Sequence, residues 1–444
     1  MKIKLMIVSL LLWRAPFVLA CGISPDLYAS WVLSTNEPTA AQAVVVLRGL
    51  GERGIEAMFR THAEMIAKHD EANPQWKRLR AAIDAIGAQR DCYASRLFWH
   101  TNFDQAQAEA RRTGKPILSL RLLGNLDEEL SCANSRFFRT TLYANQQVSD
   151  YLRKHFVLHW KSVRPVPRIT INFGDGRLME RTITGNSIHY VLDSNGEVVD
   201  ALPGLYGARA FLTALGNAEP MAVQSVKLDD RRRKVLLESY HLGRLREINR
   251  QWSADLAQVG LPVGPPKKVA AAVPVNQPPN AAAAMPLAVG KAMVEQPMLR
   301  VLAPRRDALE HSTDEPAWAK IGALHPSGVA LDVNVLSLMR AKQSMGPNST
   351  EASYGSMIRT LKEAIAEDTV RNEYLFHAKI HEWFATPNAA IQLDTLNSRV
   401  YAELFLTPES DPWLGLAPQQ VFSALENGGL KMRNQMQSPA QDRN

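Results

Sequence analysis

The chain has 444 residues, 46% of them hydrophobic and 21% charged, with a formal net charge of +7. That length exceeds one ordinary core and predicts two or three domains, in a composition ordinary for a soluble globular protein. No internal repeat of fixed period is present, no apolar run beyond the N-terminus is long enough to span a bilayer, and the charge is too diffuse to name an acidic partner or an anionic lipid.

Residues 1–20 read as an export signal. Lys2 and Lys4 supply the positive start, residues 5–13 a short apolar stretch, and Val18-Leu-Ala20 the small residues for cleavage after Ala20. Cys21 follows. Val-Leu-Ala-Cys resembles a bacterial lipobox, although Arg14 sits where that motif is normally uncharged. Membrane attachment through Cys21 and plain secretion both stand. The expected location is the periplasm, or a membrane-anchored lipoprotein of a bacterium. Three cysteines occur: Cys21, Cys92 and Cys132. Lipidation of Cys21 leaves Cys92 and Cys132 as free thiols or a pair. Without it, Cys21 can pair with Cys92, which leaves Cys132 as an odd and reactive thiol.

Residues 21–98 are expected to form a helical N-terminal domain. Its helices cover 40–50, 54–68 and, after Asn73-Pro74, the run with Trp76, Leu79, Ile83 and Ile86 at helical spacing. From 99 to 218 helical and strand patterns alternate. The pattern predicts a helix at 104–112, a strand at 117–123, helices at 131–143 and 147–155, and a strand at 156–160. Strands 188–192 and 197–199 flank Asp193-Ser-Asn-Gly196, whose Asn-Gly is a hairpin signal. A helix at 208–215 closes the region. This order predicts an α/β domain with a mixed sheet.

Residues 219–259 read as one charged helix, and 260–298 as a Pro/Ala-rich linker that cannot bury a core. Residues 299–426 are expected to form a helical C-terminal domain, with an insert near 344–353. Within it lies a loop with Pro408, Pro412 and Trp413, either anchored on that domain or a recognition surface. Residues 427–444 read as a disordered tail.

The middle region carries a resemblance. Gly114-Lys-Pro precedes a strand, Cys132-Ala-Asn-Ser135 opens the next helix, and Val148 and Leu152 lie on the one after. Phe156-Val157 opens a strand, and Asp193-x-Asn-Gly196 and Gly204 precede the last helix. Together these resemble the thioredoxin superfamily over residues 99–216. Within it the spacing is similar to exported bacterial thioredoxin-like proteins and the related DUF255 domains.

The resemblance implies a thioredoxin-like fold with Cys132 at a helix start, where unpaired N–H groups and the helix dipole favour a thiolate. Arg136 and Arg139 would add to that effect, and Asp127, Glu128 and Glu129 would oppose it. Ser135 stands in place of the resolving cysteine. A lone thiol forms a mixed disulfide but cannot release it within the chain, so a dithiol cycle is excluded. Monothiol exchange by Cys132, with Ser135 as hydrogen-bond donor, remains. The resemblance also puts Ser187 at the usual cis-proline position, making Asn186, Ser187 and Ile188 the expected backbone dock for a substrate. A serine there does not favour a cis bond.

Other residues offer competing chemistry. Glu373, His377 and His381 recur at i, i+4 spacing and are a candidate metal set, although HExxH is absent. The helix's apolar residues explain it without a metal. His155 and His159 are expected on one face of a strand, with His189 on another. Arg231-Arg-Arg-Lys234, Arg244, Arg246 and Arg250 form a basic helix, read as a solvated face or a lipid contact. Nucleic-acid binding is not expected behind an export signal, and no P-loop, G-x-S-x-G or G-x-G-x-x-G occurs. Three readings compete. The first is a monothiol C-x-x-S protein that forms mixed disulfides with an envelope protein carrying a thiol or disulfide. The second is a redox-inactive thioredoxin-fold interaction or scaffold protein. The third is metal or haem handling through the C-terminal helix. No cofactor is expected for the first two.

Overall fold

The computed structural model describes residues 24–182, 186–261, 315–343, 350–386, 392–405, 407, 408 and 410. The export signal, Cys21, the linker beyond 261, most of the expected insert, Trp413 and the tail lie outside them. No helix among the described residues is long and apolar enough to cross a membrane. The chain divides into two compact units, Met1–Ala82 and Ile83–Asn444.

The first unit is helical. It holds α1 (Pro25–Trp31), α2 (Glu37–Gly49), α3 (Glu52–Thr61), α4 (Ala63–Lys68) and the start of α5 (Pro74–Gly87). Ser24 and Asn36 cap α1 and α2, each side chain accepting a backbone N–H of the first turn. Ala29, Leu47, Ile55, Met58, Trp76 and Leu79 are buried. Helices α2 and α3 meet closely at Gly54, where a Cβ would sit 2.0 Å from the Leu47 carbonyl oxygen.

The second unit is built on a four-stranded mixed sheet wrapped in helices. Short α6 (Cys92–Ser95) and α7 (Phe103–Thr113) precede β1 (Ile117–Leu123). Then come α8 (Ala133–Phe137), a π-helical turn (Phe138–Leu142), α9 (Gln146–His155) and β2 (Val157–Arg164). A separate two-stranded hairpin follows, β3 (Arg168–Asn172) with β4 (Leu178–Thr182). Strands β5 (Ser187–Leu192) and β6 (Val198–Pro203) return to the main sheet, and α10 (Ala208–Ser225) and α11 (Asp230–Gln258) follow.

The sheet order is β2-β1-β5-β6. β1 pairs parallel with β2 and antiparallel with β5, and β5 pairs antiparallel with β6. Every residue of β1, β5 and β6 is buried. That follows from helices covering both faces, so that even Ser119 and Arg121 of the largely apolar β1 are buried. At the β5–β6 turn the Asp193 carboxylate accepts the N–H groups of Asn195 and Glu197 at 2.9 and 3.0 Å, which fixes the hairpin.

Several of the C-terminal helices add to the core of the sheet. The C-terminal helices comprise α12 (Glu315–Ala323), α13 (Val333–Lys342), α14 (Glu351–Arg371), a π-helical turn (Asn372–His377) and α15 (Ala378–Phe384). After them come α16 (Leu393–Arg399) and a last π-helical turn (Val400–Leu404). Ile365, Phe376, Ile380, Trp383, Leu396, Tyr401 and Leu404 pack in one apolar cluster with Leu120, Leu122, Ile188 and Tyr190. Gly204 permits the approach. Its φ is +75°, and a Cβ there would lie 2.5 Å from the Asn372 side chain, whose Nδ2 donates to the Leu205 carbonyl at 2.7 Å.

Candidate functional site

Two buried polar clusters stand out in the second unit. The first surrounds Cys132. The chain leaves β1, and the Cys132 N–H returns to the Leu123 carbonyl at 3.2 Å, which places the residue as the N-cap of α8. Ser135 donates its hydroxyl to the Cys132 carbonyl at 2.9 Å, and its Oγ lies 3.2 Å from the Cys132 Sγ. The sequence motif thus closes into a thiol–hydroxyl pair. The thiol is not exposed, however: Cys132 and Ser135 both have 0% of their surface accessible.

The C-terminal helices share the apolar cluster that buries Cys132. Tyr401 donates its hydroxyl to the Asn186 carbonyl at 3.0 Å, and Asn186 Nδ2 donates to Thr407 Oγ1 at 3.0 Å. Arg164 holds the same segment by donating to the Thr407 carbonyl at 2.8 Å. Tyr190 donates to Asn397 at 3.2 Å, and Arg121 reaches Asp394 at 3.4 Å. Ser187 and Ile188 are fully buried, and their backbones belong to the ladders with β1 and β6. The expected substrate dock is therefore filled by the protein's own chain. All described peptide bonds are trans, including the one before Ser187.

Beneath the thiol, Tyr143 and His189 meet, with Oη and Nε2 2.5 Å apart. Burial pushes the His189 imidazole down to about 3, so it is neutral, and its Nδ1 has no partner among the described residues. Burial, and then the Cys132 sulfur, push the hydroxyls of Tyr143 and Tyr401 well above the ordinary phenol range. Both hydroxyls thus lie within electrostatic reach of the thiol. The expected help from Arg139 is not realised. Its guanidinium is buried and turns to Asp91, the Glu129 carbonyl and Ser131, at 3.5, 3.2 and 3.4 Å.

Cys92 and Cys132 are both free thiols, so the pair considered from the sequence does not form. Cys92 is buried and donates to the Leu97 carbonyl at 3.2 Å. His155 and His159 do not share a strand face either. His155 ends α9 and meets Glu219 at 2.7 Å, whereas His159 lies in β2 with its Nδ1 2.9 Å from Ser119. The helix runs on through His155 because its last carbonyls still find partners, with Phe156 N–H closing the turn on Leu152. Burial, and then Arg121, push His159 down to about 3.

The second cluster joins β6, α11 and the α14–α15 region. Glu373, His377 and His381 do not converge as one set. His377 lies between two carboxylates, its Nδ1 2.8 Å from Glu373 and its Nε2 3.2 Å from Asp200. His381 instead faces His241, with the two Nδ1 atoms 2.8 Å apart, and lies 3.9 Å from Asp200 Oδ1. Asp200, His241 and His381 offer donor atoms that all lie within 4.8 Å of one another, and all three residues are buried. Tyr240 donates to Asp200 Oδ2 at 2.6 Å, and Arg244 to Glu373 at 3.2 Å.

Electrostatics explain the arrangement. Burial alone would raise the Asp200 carboxyl, but the histidines around it hold it well below the ordinary carboxylate range, and of these His377 is the one that carries a charge. Burial opposes a charge on His377, yet Glu373 and Asp200 raise it to about 10. Burial lowers His241 to about 4; burial and then the His377 charge push His381 well below its usual value. Two carboxylates thus face two cations, His377 and Arg244, beside two neutral imidazoles. Asp200 and His241 carried no sequence signal, since each is a single residue on an element whose pattern is explained by packing.

No family model matches this chain, and no curated protein or solved structure matches it either.

Proposed function

We propose that this chain is an exported, thioredoxin-like interaction protein whose thiol is closed off by its own C-terminal helices. The order β2-β1-β5-β6, with one parallel and two antiparallel pairings, supports the thioredoxin-like part of this reading. So does a cysteine that caps the first helix after β1. The observations that carry the functional part are a thiol with no accessible surface and, in the same apolar cluster, the Tyr401 hydroxyl on the Asn186 carbonyl. Thiol–disulfide exchange needs an incoming sulfur in line with the nucleophile, and that approach is occupied. The helices that take up the dock leave the outer surface to meet an envelope partner. The N-terminal signal and Cys21 favour a location outside the cytoplasm, secreted or lipid-anchored, and the thiol chemistry proposed calls for no cofactor.

Prolonged incubation of the native protein with glutathione disulfide, followed by mass spectrometry, tests the reading. No glutathione adduct is expected on Cys132, and envelope binding is expected to be unchanged in Cys132→Ser. A Cys132 adduct, or a partner held by a disulfide to Cys132, would favour the monothiol reading instead. The 3.2 Å approach of Ser135 to the sulfur is the observation on its side.

A further inference from the structure

We propose that Asp200, His241 and His381 bind a divalent first-row metal ion, zinc above others. The three ligands come from three elements, β6, α11 and α15, each fixed by packing in the second unit. The donor atoms are Asp200 Oδ1 and the two Nδ1 atoms, separated by 2.8 Å between the imidazoles and 3.9 Å from His381 to the carboxylate. A zinc ion with bonds of about 2.0–2.1 Å holds its ligand atoms roughly 3.0–3.4 Å apart. Two of the three edges bracket that span and the third is within 4.8 Å, so seating the ion opens one contact and draws the carboxylate in.

The two imidazoles carry the argument. Two Nδ1 atoms 2.8 Å apart have room for a single proton between them. At least one Nδ1 therefore carries a lone pair in place of a proton, and an ion that takes both nitrogens releases the proton they share. The surroundings orient the Asp200 carboxylate as a ligand. Tyr240 takes Oδ2 at 2.6 Å, and the Ala201 N–H takes Oδ1 at 2.8 Å. His377, 3.2 Å from Oδ1 and backed by Glu373, is in the place of an outer partner that holds a ligating carboxylate in position. His377 also packs against His381, with ring centroids 4.1 Å apart. Two nitrogens and one oxygen suit zinc and its neighbours. Calcium and magnesium prefer oxygen alone, and monovalent copper prefers sulfur.

Full-length protein stripped by a chelator and titrated with cobalt(II) provides the test. The expected result is a set of visible ligand-field bands that saturates at one cobalt per chain and is displaced by one equivalent of zinc. Zinc should also raise the melting temperature of the stripped protein. His381→Gln and Asp200→Asn should lose the bands, whereas His69→Gln, in the other unit, should keep them. Absence of the bands in folded wild-type protein would overturn the proposal, as would bands that persist in folded His381→Gln. The wild-type titration decides the matter even where a variant fails to fold.

Discussion

The two buried clusters solve the same problem in opposite ways. The polar groups nearest the Cys132 sulfur, those of Ser135, Tyr143 and His189, are neutral, and several polar atoms, both amide atoms of Asn134, Ser187 Oγ and His189 Nδ1, have no partner among the described residues. Around Asp200 the groups are charged, and each charge faces an opposite one: Asp200 and Glu373 with His377, and Glu373 with Arg244. A neutral polar atom left short in an interior costs a few kcal/mol at most, but an unpaired charge costs far more. The neutral cluster can therefore sit under a removable cover. The charged cluster cannot be disturbed without cost, and it ties β6, α11 and the C-terminal helices together.

Removing a charge from the second cluster should have the largest effect. Asp200→Ala leaves the buried His377 cation short of one carboxylate and strands the Tyr240 hydroxyl, for an expected loss of about 3–5 kcal/mol in urea unfolding. A loss below about 1 kcal/mol would mean the cluster is hydrated or rearranged rather than paired.

Acid should act next, through the neutral histidines. His159 and His189 are both held down to about 3 by burial, below an unfolded value of about 6.5. Their folded pKa values are depressed, so their contribution is complete above about pH 6.5. It is lost as pH falls toward 3, by about 1.4 kcal/mol per pH unit for each ring. Urea midpoints between pH 7 and about 5.5 would show this, and His189→Gln should flatten the slope. An unchanged slope in that variant would place the acid sensitivity elsewhere.

Lifting the cover should cost less. Tyr401→Phe leaves the Asn186 carbonyl without its donor, for an expected loss of about 1–3 kcal/mol, and should speed alkylation of Cys132. Stability lost with no gain in labelling would show that other residues seal the thiol. Smallest of all, Cys132→Ser keeps the shape of the site and should lower stability by only about 1 kcal/mol, with partner binding intact.

Much of the sheet was legible because its signals are local. The apolar run at 117–123 matches β1 residue for residue, and Asn195-Gly196 marks the β5–β6 turn. Cys132 and Ser135 lie one helical turn apart, so their spacing alone brought them together. The β3–β4 hairpin escaped notice because Arg168–Asn172 and Leu178–Thr182 mix charged and apolar residues without a clear buried face. The cover and the Asp200 cluster escaped for another reason. Tyr401 and Asn186 are 215 residues apart, and His241 and His381 are 140 apart. Periodicity reports which face of a helix is apolar, not which distant strand that face meets. Glu373, His377 and His381 share a helix, but the π-helical turn and the nearby Asp200 and His241 divide them between two roles.

The most direct measurement is the rate at which a small alkylating agent labels Cys132 in the native protein, set against the same thiol in the urea-unfolded chain. A closed thiol predicts native labelling slower by several hundredfold or more, rising as Tyr401→Phe loosens the cover. Labelling of native Cys132 at nearly the unfolded rate would contradict it, because the C-terminal helices would then not shield the sulfur.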